Sequence, residues 1–327
     1  METWFPQGKS FVTERDASWF LGPEGPLARV LPRYEHRPAQ AQMAALVEEN
    51  LAHRGLAMIE AGTGTGKTLA YLVPALRSGK RVVVSTATRN LQDQIMQQDL
   101  PLLHALLDVP FEASCVKGLA NYLCLRRYHA FISSERAHGP DYRRELPVLQ
   151  SFLENSADGE RSGLALSEEG DLWAQINSGS DLRVGSRCVH YEDCFVTRLR
   201  RQAEQSNLIV VNHHLYFADL AVRAGRGAGV LPRHDAVIFD EAHAIEDIAT
   251  DFFGVQVSTT RLETFARDAR RAIKEAGGLD GLSQQCDGAL ALGSVFFSAL
   301  PGAASGETGR QELDVESFEG DIVEPMR

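Results

Sequence analysis

Cysteine is scarce in this chain. Five in 327 residues, an odd number, cannot staple a fold of this length, so a disulfide scaffold is excluded and a reducing, cytoplasmic compartment is expected. Long apolar runs are missing as well. None reaches the ~18–20 residues a membrane span needs, and the opening METWFPQGKS has no basic segment leading into an apolar one. Neither a membrane partner nor a secretory leader is expected. Positive charge is also short, with 33 Lys and Arg against 44 Asp and Glu and a formal net charge of −11. That excludes a protein that coats nucleic acid by bulk charge, but leaves room for a local basic track. What remains is an ordinary globular composition, 44% hydrophobic and 24% charged, at a length suited to about two domains.

Residues 1–35 hold Trp4, Phe5, Trp19 and Phe20 among Gly-Pro pairs, and read as a lead-in with little regular structure. Residues 37–54 carry apolar positions at helical spacing. The short apolar run LAMIE at 56–60 reads as a strand leading into AGTGTGKT and a second helical stretch, LAYLVPALRSG. RVVVS at 81–85, LIVVN at 208–212 and AVIFD at 236–240 read as buried strands. Such strands alternating with helices predict an α/β fold, a parallel sheet flanked by helices. The rhythm breaks between about 113 and 206, which holds four of the five cysteines, an acidic Gly/Ser-rich stretch at 158–171 and a closing basic run. The expected organisation is therefore a lead-in at 1–35, an α/β domain from 36–112 and 207–248, an insertion at 113–206, and a helical, charged segment at 249–327. The end of that last segment, 303–327, is acidic and unpatterned.

Ala61-Gly62-Thr63-Gly64-Thr65-Gly66-Lys67-Thr68 departs from the phosphate-loop pattern only at its first position, where Ala61 replaces glycine. Its glycines let backbone N–H groups converge on phosphate oxygens. Lys67 supplies a charge for the β- and γ-phosphates, Thr68 offers a hydroxyl to Mg²⁺, and the following helix adds its N-terminal dipole. The expected cofactors are ATP and Mg²⁺. The strand AVIFD ends in adjacent carboxylates, Asp240 and Glu241, which disfavour both burial and sheet. Beside a phosphate loop, Asp240 would hold Mg²⁺ and Glu241 would polarise an attacking water.

Together with STATRNLQDQI, VKGLANYLCLRR, CFVTRLRRQAEQSNLIVVNHHLYFADL and VIFDEAHAIED, these motifs resemble the DinG-type, XPD-like superfamily 2 DNA helicases over about residues 15 to 250. The resemblance implies a RecA-like domain with an iron–sulfur-type insertion and the start of an arch domain. It also implies ATP-dependent 5′→3′ unwinding in DNA repair or replication, acting on single-stranded or forked DNA, with single-strand-binding protein a further possible partner. Arg37 and Gln40 match the adenine-reading motif; Ser85, Thr86 and Thr88 match a DNA-backbone motif; Asn212 and His213 match an N-H-x-L element; and His243 would couple the nucleotide site to DNA.

The family also holds a [4Fe–4S] cluster with four cysteines. Cys124, Cys188 and Cys194 match three of them, while Arg183 stands where the fourth is expected and Cys115 is the nearby substitute. A cluster with a substitute ligand, a labile three-cysteine species and no cluster at all remain open. Lys117, Arg126, Arg127, Arg198, Arg200 and Arg201, with Tyr122 and Tyr128 as stacking partners, would form the DNA track. Family members are about twice as long. No second helicase domain with its arginine finger is found in this sequence, so the chain by itself is expected to bind ATP and DNA without unwinding. The alternatives are a non-translocating ATP and single-stranded-DNA clamp, and a redox-responsive DNA-binding protein.

Overall fold

The computed structural model describes residues 16–31, 34–62, 64–107, 109–139, 142–164, 172–179, 184–226, 229–253, 258–275 and 280–300. The chain divides into two compact units, Met1–Phe252 and Phe253–Arg327.

The first unit is built on four parallel strands: β1 (Val82–Thr86), β2 (Ala113–Cys115), β3 (Leu208–Asn212) and β4 (Ala236–Phe239), in the order β2-β3-β1-β4. β1 and β3 are runs of valine, leucine and isoleucine because both faces of this sheet are covered. Val82, Val84, Leu208 and Val210 enter one core with α1 (Ala17–Phe20), α2 (Pro26–Val30), α3 (Pro38–His53), α4 (Lys67–Arg77) and α6 (Leu100–Leu106). Val83, Ile209 and Val211 enter the other, with residues of α10 (Phe195–Gln205) and α11 (His213–Arg226). Between β1 and α6 the chain forms α5 (Arg89–Gln94) and a π-helical turn, Ile95–Asp99. Register pairs Thr86 with Asn212 and Ser85 with Phe239, so β1, β3 and β4 end level and Asp240 follows at the same crest. In such sheets ligands bind at the carboxyl ends of the strands.

Two expectations are corrected. The lead-in is structured from Asp16 onward: the Asp16 carboxylate caps α1 through Trp19 N–H, and Ala17, Phe20, Leu21 and Leu27 are buried in the main core. Its apolar residues, rather than its Gly-Pro signals, decide its fate. Residues 56–60 form no strand. Leu56 and Met58 are 93% and 96% exposed, and β4 bounds the sheet with no further strand beside it among the described residues. A strand exists only with a neighbour to take its backbone hydrogen bonds.

The expected insertion is helical, with α7 (Leu125–Ile132), α8 (Glu145–Asn155) and α9 (Leu172–Ile176) preceding α10. It has its own core, centred on Leu123, Phe131, Leu149, Phe152, Trp173 and Phe195. The chain leaves the first unit along α12 (Ile245–Phe253). In the second unit α13 (Thr259–Glu275) packs against α14 (Asp280–Ala299). Residues 303–327 lie outside the described residues.

Candidate nucleotide site

The loop between residue 60 and α4 turns through Gly64 and Gly66, both left-handed at φ +77° and +79°, where a side chain costs roughly 1–2 kcal/mol. At Gly66 space adds a second requirement. The Gln40 amide donates to the Gly66 carbonyl at 2.9 Å, and a Cβ there would stand 2.2 Å from Gln40 Nε2. Gln40, buried on α3, thus braces the loop from outside it. Thr65 Oγ1 closes the turn by donating to the Gly62 carbonyl at 2.8 Å, and the space around Gly62 and Gly64 is open. Ala61 is partly buried, and Thr63 lies outside the described residues. Arg37 precedes α3 and pairs on the surface with Glu35 at 3.6 Å.

The acidic motif comes within reach of this loop across 174 positions of sequence: Lys67 Nζ donates to Glu241 Oε1 at 3.1 Å. Glu241 also faces His243, with Nδ1 3.4 Å from Oε2. Its own backbone sits at φ +56°, a left-handed conformation costing about 1–3 kcal/mol in a non-glycine residue. Asp240 is buried; its Oδ1 accepts the Glu241 N–H at 3.0 Å and its Oδ2 accepts the Tyr71 hydroxyl at 2.9 Å. Burial, reinforced by the Asp240 charge, pushes the Tyr71 phenol well above its usual pKa, so it remains a donor. Sequence reading passed over Tyr71. Its signal was the spacing, since Thr68 and Tyr71 are three apart on one helix and share a face.

Behind this cluster His213 is fully buried, with Nδ1 2.7 Å from Ser85 Oγ and Nε2 unpartnered among the described residues. Burial lowers its pKa, against the raising effect of the Asp240 and Glu241 backbone.

A hydroxyl on Thr68 and a carboxylate on Asp240 are hard oxygen donors, and with open space beside the loop they fit a magnesium nucleotide. Among the described residues no three His, Cys, Asp or Glu side chains converge as ligands of a single metal ion, and the structure does not show an iron–sulfur site at Cys124, Cys188 and Cys194. Arg183 lies outside the described residues. Cys115, the expected substitute, belongs to β2, and burial pushes its thiol up to about 12.

Several members of the expected DNA track make contacts within the chain. Lys117 is buried between Asp93 at 2.9 Å and Glu160 at 2.5 Å. Arg127 closes α9 by donating to the Ala174 and Asn177 carbonyls at 2.8 and 2.7 Å. Arg201 pairs with Glu192 at 2.8 Å, and the Arg198 guanidinium lies 4.8 Å from the centre of the Phe195 ring. Tyr122 and Tyr128 are buried and offer no stacking face. Thr88 caps α5 through Leu91 N–H, and buried Thr86 donates to the Thr88 carbonyl at 3.2 Å. Arg126 lies on α7 and Arg200 on α10. What the crest of the sheet does present is an open cavity of about 530 Å³ over β1 and β3, lined by Arg89, Asn121, Asn212, His214, Leu215 and Ala218. Sequence reading placed none of these in a cleft, because they come from three separate segments.

A parallel sheet, a GKT loop opening a helix, and an Asp-Glu pair at the end of a strand beside that loop define a P-loop nucleotide-binding protein. Comparison makes the class specific, since the DEAD/DEAH box helicase family matches residues 37–122. The chain is 38% identical over 286 residues to the ATP-dependent DNA helicase YoaA of Escherichia coli, an alignment covering 85% of this chain and 44% of that protein. It is 33% identical over 290 residues to the ATP-dependent helicase DinG of Mycobacterium tuberculosis, covering 81% and 42%. With the 3'-5' exonuclease DinG of Bacillus subtilis it shares 32% over 252 residues, 76% of this chain and 26% of that protein. The chain belongs to the DinG-type DEAD/DEAH box helicases and spans less than half the length of these relatives.

Proposed function

We propose that this chain forms the ATP- and DNA-binding part of an ATP-dependent DNA helicase that moves 5′→3′ on a single strand. The observation that carries the reading is the meeting of Lys67, Asp240 and Glu241 beside an open glycine loop. Bound Mg²⁺ supplies charge neutralisation for phosphoryl transfer. The chain's own residues do the remainder. Loop N–H groups and the start of α4 accept the phosphates. Lys67, which here neutralises Glu241, exchanges that carboxylate for a phosphate oxygen and so frees Glu241 to take a proton from water. The DNA strand crosses the sheet crest over the cleft, with Arg89 on its backbone and Asn121, Asn212 and His214 along it.

The test is binding of a fluorescent ATP analogue in Mg²⁺ by the wild-type chain and by Lys67→Ala. Tight binding by wild type and a loss of at least about tenfold in the variant are expected, in line with a charge-assisted contact of roughly 1.5–3 kcal/mol. Equal affinities would overturn the site assignment.

A further inference from the structure

Tyr71 belongs to neither the glycine loop nor the acidic motif, yet its hydroxyl touches a residue of each. It donates to Asp240 Oδ2 at 2.9 Å and accepts from the Thr68 hydroxyl. The relay has one sense, Thr68 O–H to Tyr71 O–H to the Asp240 carboxylate. Because the Thr68 proton is committed to Tyr71, Thr68 presents oxygen lone pairs elsewhere, which is how a hydroxyl ligates a hard cation. Asp240 has one fixed donor on each oxygen, Tyr71 on Oδ2 and the Glu241 N–H on Oδ1, so its plane cannot rotate freely. The Tyr71 ring is 1% exposed on a helix, a rigid mount for such a bridge.

We infer that Tyr71 is a positioning residue that sets the spacing and orientation of Thr68 and Asp240 toward a nucleotide-bound divalent cation. It governs cation affinity rather than nucleotide affinity. The inference rests on the reading of the loop as an ATP site. Phenylalanine would fill the same volume without the relay, and loss of an outer-shell partner typically costs 10–100-fold in metal affinity.

The experiment compares the full chain with Tyr71→Phe. ADP binding is measured in a chelator without divalent cations, and Mn²⁺ binding to the ADP complex is followed by electron paramagnetic resonance. Metal-free ADP affinity is expected to agree within about twofold, while Mn²⁺ affinity falls by about tenfold. Unchanged Mn²⁺ affinity would overturn the role of Tyr71 alone. An equal loss of ADP affinity with and without metal would overturn it too, by reducing Tyr71 to packing. If wild type binds no nucleotide, the ATP-site reading falls with it. Should Tyr71→Phe fail to fold, 3-fluorotyrosine at position 71 replaces it. Its fluorine resonance is expected to shift when Mg²⁺ is added to the ADP complex, and a resonance blind to Mg²⁺ would overturn the inference.

Discussion

At the scale of single residues, the site is held by side chains buried behind it. His213 is the clearest case for a pH effect. Its folded pKa is depressed, chiefly by burial, so the folded state binds fewer protons than the unfolded one below the usual histidine value of about 6.5. The stability it confers is complete above that value and is lost as pH falls. Ser85 faces its Nδ1, the Asp240 and Glu241 backbone oppose the shift, and the His214 charge adds to it. Chemical denaturation between about pH 7.5 and 5.5 is expected to show a steeper loss of stability in wild type than in His213→Gln. Parallel slopes would mean that His213 is not the titrating group. At this scale the loop and the Asp-Glu pair were legible, because glycines before Lys-Thr and carboxylates ending an apolar strand have few other uses. Tyr71 and the Gln40 brace were not. Their roles depend on partners 169 and 26 positions away, which no local pattern records.

At the scale of elements, Lys117 carries the most consequential contact. It follows β2 and joins α5, through Asp93, to the helical segment, through Glu160. Burial alone would push its ammonium pKa down, but the Glu160 and Asp93 hydrogen bonds outweigh that and hold it above the usual value. Removing one partner of such a group leaves charge buried without compensation. Lys117→Met is therefore expected to destabilise the fold by roughly 3 kcal/mol in denaturant unfolding. A change below about 1 kcal/mol would show that water relieves the site. The sequence reading missed this element-scale role because a lysine near other basic residues resembles a surface track, and only its two acceptors reveal a core ion group. β1, β3 and β4 were legible from their branched runs, with ends within a residue or two. β2, only Ala113–Cys115, has no periodicity to read.

At the scale of the whole molecule, a net charge of −11 leaves the proposed DNA contact to local cations rather than to bulk charge. Arg89 in the crest cleft is exposed, unlike buried Lys117. Single-strand affinity is expected to fall with rising salt, and Arg89→Ala should reduce the slope of log affinity against log salt by about 0.7, one phosphate contact. A slope identical to wild type would move the strand elsewhere. The bare flank of the sheet has a different consequence. Among the described residues no strand pairs with the outer edge of β4, and Leu56 and Met58 stand in water in the same unit. Exposed strand edges are templates for unwanted pairing. The chain handled by itself therefore has a ceiling on the concentration at which it stays dispersed. A charge placed on that flank, away from Asp240, is expected to raise that ceiling.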